Sequence, residues 1–296
     1  MKAPTTAIAD LLQRGRDILV FAELLGIRFN PGQIRWLRYA ASTIDGWKWN
    51  WQQTIHVAAN QIGKTLAVAV LILWACFYKI GVDPSNPEGW QSRPYLWFHL
   101  APTQQQAYHA LNDARMLIKG SHPAQGDRCK LSFVENKLVS ETKVATYYDG
   151  LEFWNGAICQ FRTTDDKASA LQGYRASGIS VDEAAFEDHL RVVVNETLMM
   201  RLISTGGPLH MVSTPNGMND YFDFVEDIRK YNDSPEERVW VDRNGKSAVA
   251  WSVITDNVGF GITQVQVDHM EANLDPATKE QQLRGAFLEP AEAFFV

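Results

Sequence analysis

The longest apolar run in the chain is Leu66 to Ile80, and the β-type stretch Thr54-Ile55-His56-Val57 lies just before it. A bilayer span needs about 18 or more apolar residues, so this run predicts a core helix and not a membrane segment. Further β-type runs follow at Tyr95-Leu96-Trp97-Phe98-His99-Leu100, Ala157-Ile158-Cys159-Gln160-Phe161-Arg162, a stretch ending at Val181-Asp182, and Pro208-Leu209-His210-Met211-Val212-Ser213. Helical spacing separates them. Ala107, Leu111, Ala114 and Leu117 share one face between the cap Thr103 and the terminator Gly120; Arg191 to Ile203 and Asp220 to Tyr231 read as further helices.

The flanks are less regular. Thr5 to Leu25 carries two helical patterns (Ile8, Leu11, Leu12, then Ile18, Leu19, Ala22, Leu25) ending at Gly26, and Trp36, Leu37 and Tyr39 mark a short helix. Asp83 to Arg93 has the composition of a surface loop. Residues 121–156 change character: Leu131, Phe133, Leu138, Val139, Val144 and Tyr147 alternate with Lys130, Lys137 and Lys143, predicting a hairpin insertion. Its lysines form either a solvated face or a DNA contact. Two β-type runs surround Asn244-Gly245, Thr263 to Gln266 is a capping box for a helix to Leu274, and Asp275-Pro276 opens a last helix to about Leu283.

Composition narrows the class. With 296 residues, 46% hydrophobic and 21% charged, the chain has ample material for a buried core. A net charge of −6 argues against a broadly basic nucleic-acid coat but leaves room for a local basic track. Cys76, Cys129 and Cys159 are unpaired in number and spacing, which predicts neither a disulfide framework nor a zinc site and fits a reducing cytoplasm. No secretory signal is visible.

The chemistry concentrates around Asn60-Gln61-Ile62-Gly63-Lys64-Thr65, between the first strand and the long apolar helix. Strand, tight loop ending in Gly-Lys-Thr, then helix is the layout of a phosphate-binding P-loop, in which loop N–H groups and the helix dipole cradle a polyphosphate. Lys64 would reach the β- and γ-phosphates, Thr65 would ligate Mg²⁺, and Gly63 lets the backbone approach. Ala58 stands where the full motif has its first glycine. The run ending Asp182-Glu183 has the form of a Walker B strand, with Asp182 at the metal's hydration shell and Glu183 activating water. Ser213 or Thr214, at a strand end, can sense the γ-phosphate. Gln33 is either a surface glutamine or a reader of both edges of adenine, with a nearby aromatic stacking on the base.

Taken in order, Pro31-x-Gln33, the P-loop, Ala101-Pro102-Thr103-Gln104-Gln105-Gln106-Ala107, Leu171-x-Gly173-Tyr174-Arg175, Val181-Asp182-Glu183-Ala184, Ser213-Thr214-Pro215-Asn216-Gly217, Thr255-Asp256-Asn257 and Leu283-Arg284-Gly285-Ala286-Phe287 resemble the ATPase part of the large terminase subunit of tailed bacteriophages. The resemblance covers nearly the whole chain. It implies an α/β fold of the additional-strand P-loop NTPase type, a mostly parallel sheet with helices on both faces, and a small lid formed by the N-terminal helices and C-terminal segments. The implied layout is one ATPase domain over 1–296: 1–50 with the adenine segment, 51–255 as core, 256–296 completing the lid. It implies an ATP- and Mg²⁺-dependent motor moving double-stranded DNA into a procapsid, as a homo-oligomeric ring on the portal protein with the small terminase subunit, in the host bacterial cytoplasm at the portal vertex. Ser213-Thr214-Pro215 would be its coupling motif.

Two positions depart from the family pattern. Asn60 stands where many relatives carry a P-loop arginine, which leaves Arg162, Arg175 or Arg201 to stabilise transition-state charge, in cis or across a subunit boundary; Arg175, just upstream of the Walker B strand, is preferred. Large terminases add a nuclease domain, and this chain stops about where that domain would begin, so a single ATPase domain without cleavage is expected. Two other readings remain open: a superfamily 1 or 2 helicase fragment, and an assembly protein that binds nucleotide without turnover.

Overall fold

A computed structural model describes residues 5–85, 94–128, 132–145, 148–231 and 236–289. Its centre is a sheet of nine strands in the order β10-β11-β3-β9-β8-β4-β7-β6-β5. These strands are β3 (Gln53–Ala58), β4 (Leu96–Ala101), β5 (Val139–Ala145), β6 (Tyr148–Phe153), β7 (Ile158–Thr163), β8 (Gly178–Asp182), β9 (Leu209–Ser213), β10 (Val239–Val241) and β11 (Ser247–Ser252). The six from β11 to β7 are parallel; the pairings β10–β11, β7–β6 and β6–β5 toward the edges are antiparallel. β4, β8 and β9 are buried along their whole length, as expected of parallel strands covered on both faces. A short hairpin, β1 (Thr43–Ile44) with β2 (Lys48–Trp49), stands apart and carries no warning in the sequence.

The helix Lys64–Tyr78 lies under this sheet with every residue from Ala67 to Phe77 buried, so its apolar run is uniform and not one-sided. It shares a core with helices Ile18–Leu24, Pro31–Ala40 and Gln104–Lys119. The opposite face is covered by the helical segment 190–202 and helix Asp220–Arg229. A third cluster joins Ala59 to Ile254, Ile262, Val267 and Leu283. The C-terminal segments 254–283 thus form their own small cluster beside the loop. The N-terminal helices, expected to share a lid with them, pack instead into the main core through Leu11, Ile18, Phe21, Ala22 and Leu25, because their apolar faces meet the Lys64–Tyr78 helix.

One other expectation changes in detail. The 121–156 hairpin is no separate appendage: β6 pairs with β7, so β5 and β6 extend the central sheet. Cys76 and Cys159 are buried free thiols, and burial together with a mutual hydrogen bond pushes the Cys159 thiol well up. Cys129, Lys130, Leu131, Tyr147, most of the 83–93 loop and Phe294 to Val296 lie outside the described residues.

Between the sheet and the first helical layer sits a stack of rings. Trp36 lies flat on His56 with centroids 5.3 Å apart, and Trp97 lies on His210 at 5.8 Å. His56 shares a 2.7 Å hydrogen bond with Ser252, and His210 shares one of 2.7 Å with Thr54. The third, His99, shares one of 3.0 Å with Ser180.

Candidate active site

β3 ends at Ala58 and the chain turns sharply before helix Lys64–Tyr78 begins. Gln61 (φ 55°) and Gly63 (φ 76°) take left-handed conformations, and Gly63 precedes the helix with no side chain capping its N–H groups. Those groups and the positive end of the helix dipole are left facing outward, the arrangement that receives an anion. A Cβ on Gly63 would stand 2.8 Å from Gln33 Nε2.

Three parallel strands deliver the remaining groups to the same end of the sheet. Lys64 Nζ lies 3.1 Å from Glu183 Oε1 and donates to Thr214 Oγ1 at 3.3 Å. The Thr65 hydroxyl donates to Asp182 Oδ2 at 2.9 Å, while Asp182 Oδ1 accepts the Glu183 N–H. Ser213 Oγ accepts the Ala185 N–H at 3.1 Å and approaches Glu183 Oε2 at 3.5 Å. Lys64, Thr65, Asp182, Glu183, Ser213 and Thr214 are thus one cluster. Burial raises both carboxyls above their ordinary values, with the Lys64 charge pulling the other way; Asp182 adds to the rise at Glu183. Glu183 sits at φ 51°, a strained conformation for a residue with a Cβ, of the kind that collects at functional sites.

The loop is held from outside by residues whose roles are set by contacts remote in sequence. The Asn30 amide donates to Ile62 O at 2.9 Å and to Asn257 Oδ1 at 3.0 Å, and Asn257 in turn donates to Gln61 O at 2.7 Å. Gln33 is 4% exposed. Its Oε1 accepts the Asn30 N–H and its Nε2 donates to Gly63 O at 2.7 Å, so this amide closes a capping box and props the loop. On the other flank Asn60 Nδ2 donates to Gln282 Oε1 and the Asn60 N–H to Gln282 O, while Gln281 Nε2 donates to Pro215 O at 2.8 Å. Asn30-Pro31-Gly32-Gln33 carries the capping-box spacing, a signal for Gln33 that local sequence offered.

The three arginines part company. Arg162 is 3% exposed, donates to Ala170 O at 2.9 Å and lies over the rings of Phe98 and Tyr174. Arg201 is half-buried beside the Ala176 backbone. Arg175 is exposed, yet it precedes Gly178, the first residue of β8, whereas Asp182 is the last. The whole of β8, roughly 16 Å of strand, separates Arg175 from the carboxylates, so it does not join the cluster within one chain.

A parallel sheet in which β9 is inserted between the P-loop strand β3 and the Asp182-Glu183 strand β8 defines an additional-strand P-loop NTPase fold. Residues 55–296 match the family described as terminase large subunit, T4likevirus-type, N-terminal, and the chain belongs to that family. Among solved structures it is similar to the large terminase ATPase domain of Thermus phage P74-26, in a point-mutant form (TM-score 0.60, 15% identity, covering 91% of this chain and 98% of that one). It is also similar to the HK97 bacteriophage large terminase (0.62, 14%, 93% and 55%). A third is the large terminase from a thermophilic bacteriophage, solved in complex with ADP (0.58, 14%, 88% and 54%). The chain thus spans about half the length of the latter two. No curated protein sequence matches it.

Proposed function

We propose that this chain hydrolyses ATP to drive viral double-stranded DNA into a procapsid. The carrying observation is the convergence of Lys64, Thr65, Asp182, Glu183, Ser213 and Thr214 at one end of the sheet beside an uncapped helix N-terminus. The loop N–H groups and Lys64 bind the triphosphate. The side-by-side Thr65 hydroxyl and Asp182 carboxylate suit Mg²⁺, a hard ion that keeps water and phosphate oxygens in its shell. An ion held there would neutralise charge on the phosphates. Glu183, its carboxyl raised by burial, orients and deprotonates the attacking water.

Ser213 and Thr214 touch both catalytic charges, and two routes lead away from them. One passes from Ala185 to Asn219, which donates to Ala185 O and caps helix Asp220–Arg229. The other passes through Pro215 to Gln281 in the lid. Family membership supports the further reading of a ring of copies on the portal protein, fed by the small terminase subunit, in the host cytoplasm. In such a ring Arg175, exposed and remote from its own carboxylates, serves a neighbour's γ-phosphate.

Steady-state hydrolysis with Mg²⁺, with and without duplex DNA, tests the reading. Glu183→Gln is expected to lower turnover by about 10²- to 10⁴-fold while ADP still binds. Unchanged turnover in the variant, or ATP binding without turnover in the parent, defeats it. Mixing Arg175→Ala with Glu183→Gln protein under assembly conditions should restore activity, because each copy supplies what the other lacks; no restoration removes Arg175 from the site.

A further inference from the structure

The phosphate end of the site faces β9 and β8, where Lys64 meets Glu183 and Thr214. A nucleotide is extended, so its base must project to the other flank of β3, toward β11. Two segments flank the loop there. One contains Arg28, two residues before Asn30; the other is the turn 257–262, in which Asn257 O accepts the N–H groups of Phe260 and Gly261. Both are tied to the loop through Asn30 to Ile62 and Asn257 to Gln61. At their ends, the Arg28 guanidinium stands over the Phe260 ring, 4.9 Å from its centroid. Phe260 is 39% exposed although the turn around it is locked, with Ile262 packed into the lid cluster.

Resting on the nucleotide reading above, we propose that Phe260 and Arg28 form the base platform, on which the purine ring of the nucleotide stacks. The aromatics nearer in sequence do not offer a face: Trp36 is fully buried against His56, and Tyr39 packs on Trp51. Gln33 is closed off by its capping box. An exposed ring paired with a guanidinium plane, held at fixed distance from a phosphate cradle, is the arrangement that base stacking requires.

Calorimetric titration with ADP and with inorganic tripolyphosphate, a probe with the phosphates but no base, tests the proposal. Phe260→Ala should weaken ADP by about tenfold to a hundredfold, the range that loss of one base-stacking aromatic gives, and leave tripolyphosphate unchanged. Arg28→Ala should act in the same direction, and Phe260→Trp should retain ADP. Gln33→Ala, which removes the prop under Gly63, should weaken both probes together. ADP binding unchanged in Phe260→Ala overturns the platform, and so does equal loss of both probes, which would make Phe260 a support for the turn. If Lys64→Ala leaves tripolyphosphate binding intact, the phosphate site itself is misplaced and the platform falls with it.

Discussion

At Gly63 two requirements meet on one residue: a φ of 76° and a gap of 2.8 Å between the place of a Cβ and Gln33 Nε2. Gly63→Ala incurs about 1–2 kcal/mol for the left-handed conformation and must also displace the amide that supports the loop. It is expected to abolish measurable ADP binding by titration. In Gln33→Ala/Gly63→Ala the clash is gone but the backbone penalty stays, so the double variant should be less destabilised in thermal melts than the sum of the two singles. Strict additivity would show that the two residues do not touch in solution. Lys64, Thr65, Asp182 and Glu183 were legible because each lies at a strand end or helix start that its own neighbours announce. Asn30, Asn257 and Gln282 were not, since what they hold is decided by residues some 30 to 220 positions away.

Among the elements, β8 is fixed to its neighbour by a single absent side chain. A Cβ on Gly178 would come within 2.2 Å of the Trp97 ring, itself fully buried on β4 and bonded through Nε1 to Ser180. Gly178→Ala should therefore cost about 3 kcal/mol by overpacking and lower the melting temperature by roughly 6–12 °C; an unshifted melt would mean the two strands have slack. The order of strands and helices from 53 to 229 followed from runs of apolar residues, whose length and spacing are local properties. The pairing of β11 with β3, the merging of β5 and β6 into the central sheet and the packing of helices 5–24 did not, because each depends on which surface a segment meets. Helix caps were the most readable detail: Thr103 caps its helix and Thr263 closes a capping box where the sequence places them.

For the molecule as a whole, three buried imidazoles set the response to acid. Burial holds His56, His99 and His210 at about 3, against an ordinary 6.5, with Lys64 and Arg35 adding to the effect at His56. The folded chain keeps these rings neutral while the unfolded chain protonates them, so their contribution is complete above about pH 6.5 and is lost as pH falls toward 3. At pH 5 the loss is about 2 kcal/mol per ring at 1.36 kcal/mol per pH unit, or roughly 6 kcal/mol together, comparable with the whole stability of many domains. Asp182 and Glu183, raised by burial, work in the opposite direction, their penalty easing as pH falls toward the ordinary carboxyl range. The melting temperature should fall steeply between about pH 7 and pH 5, and His99→Asn should remove about a third of the slope. A flat profile over that interval would place the rings in contact with water.

The order of β3 between β11 and β9 also has a consequence for the time at which the protein becomes itself. Ile55 pairs with Met211 on one side and with Val249 on the other. A ribosome adding about 5–20 residues per second needs roughly 10–40 s after making β3 to emit its last partner. Throughout that interval the apolar strand that leads into the phosphate loop has an open edge, so the nascent chain is a client for whatever cellular factor shields unpaired strands.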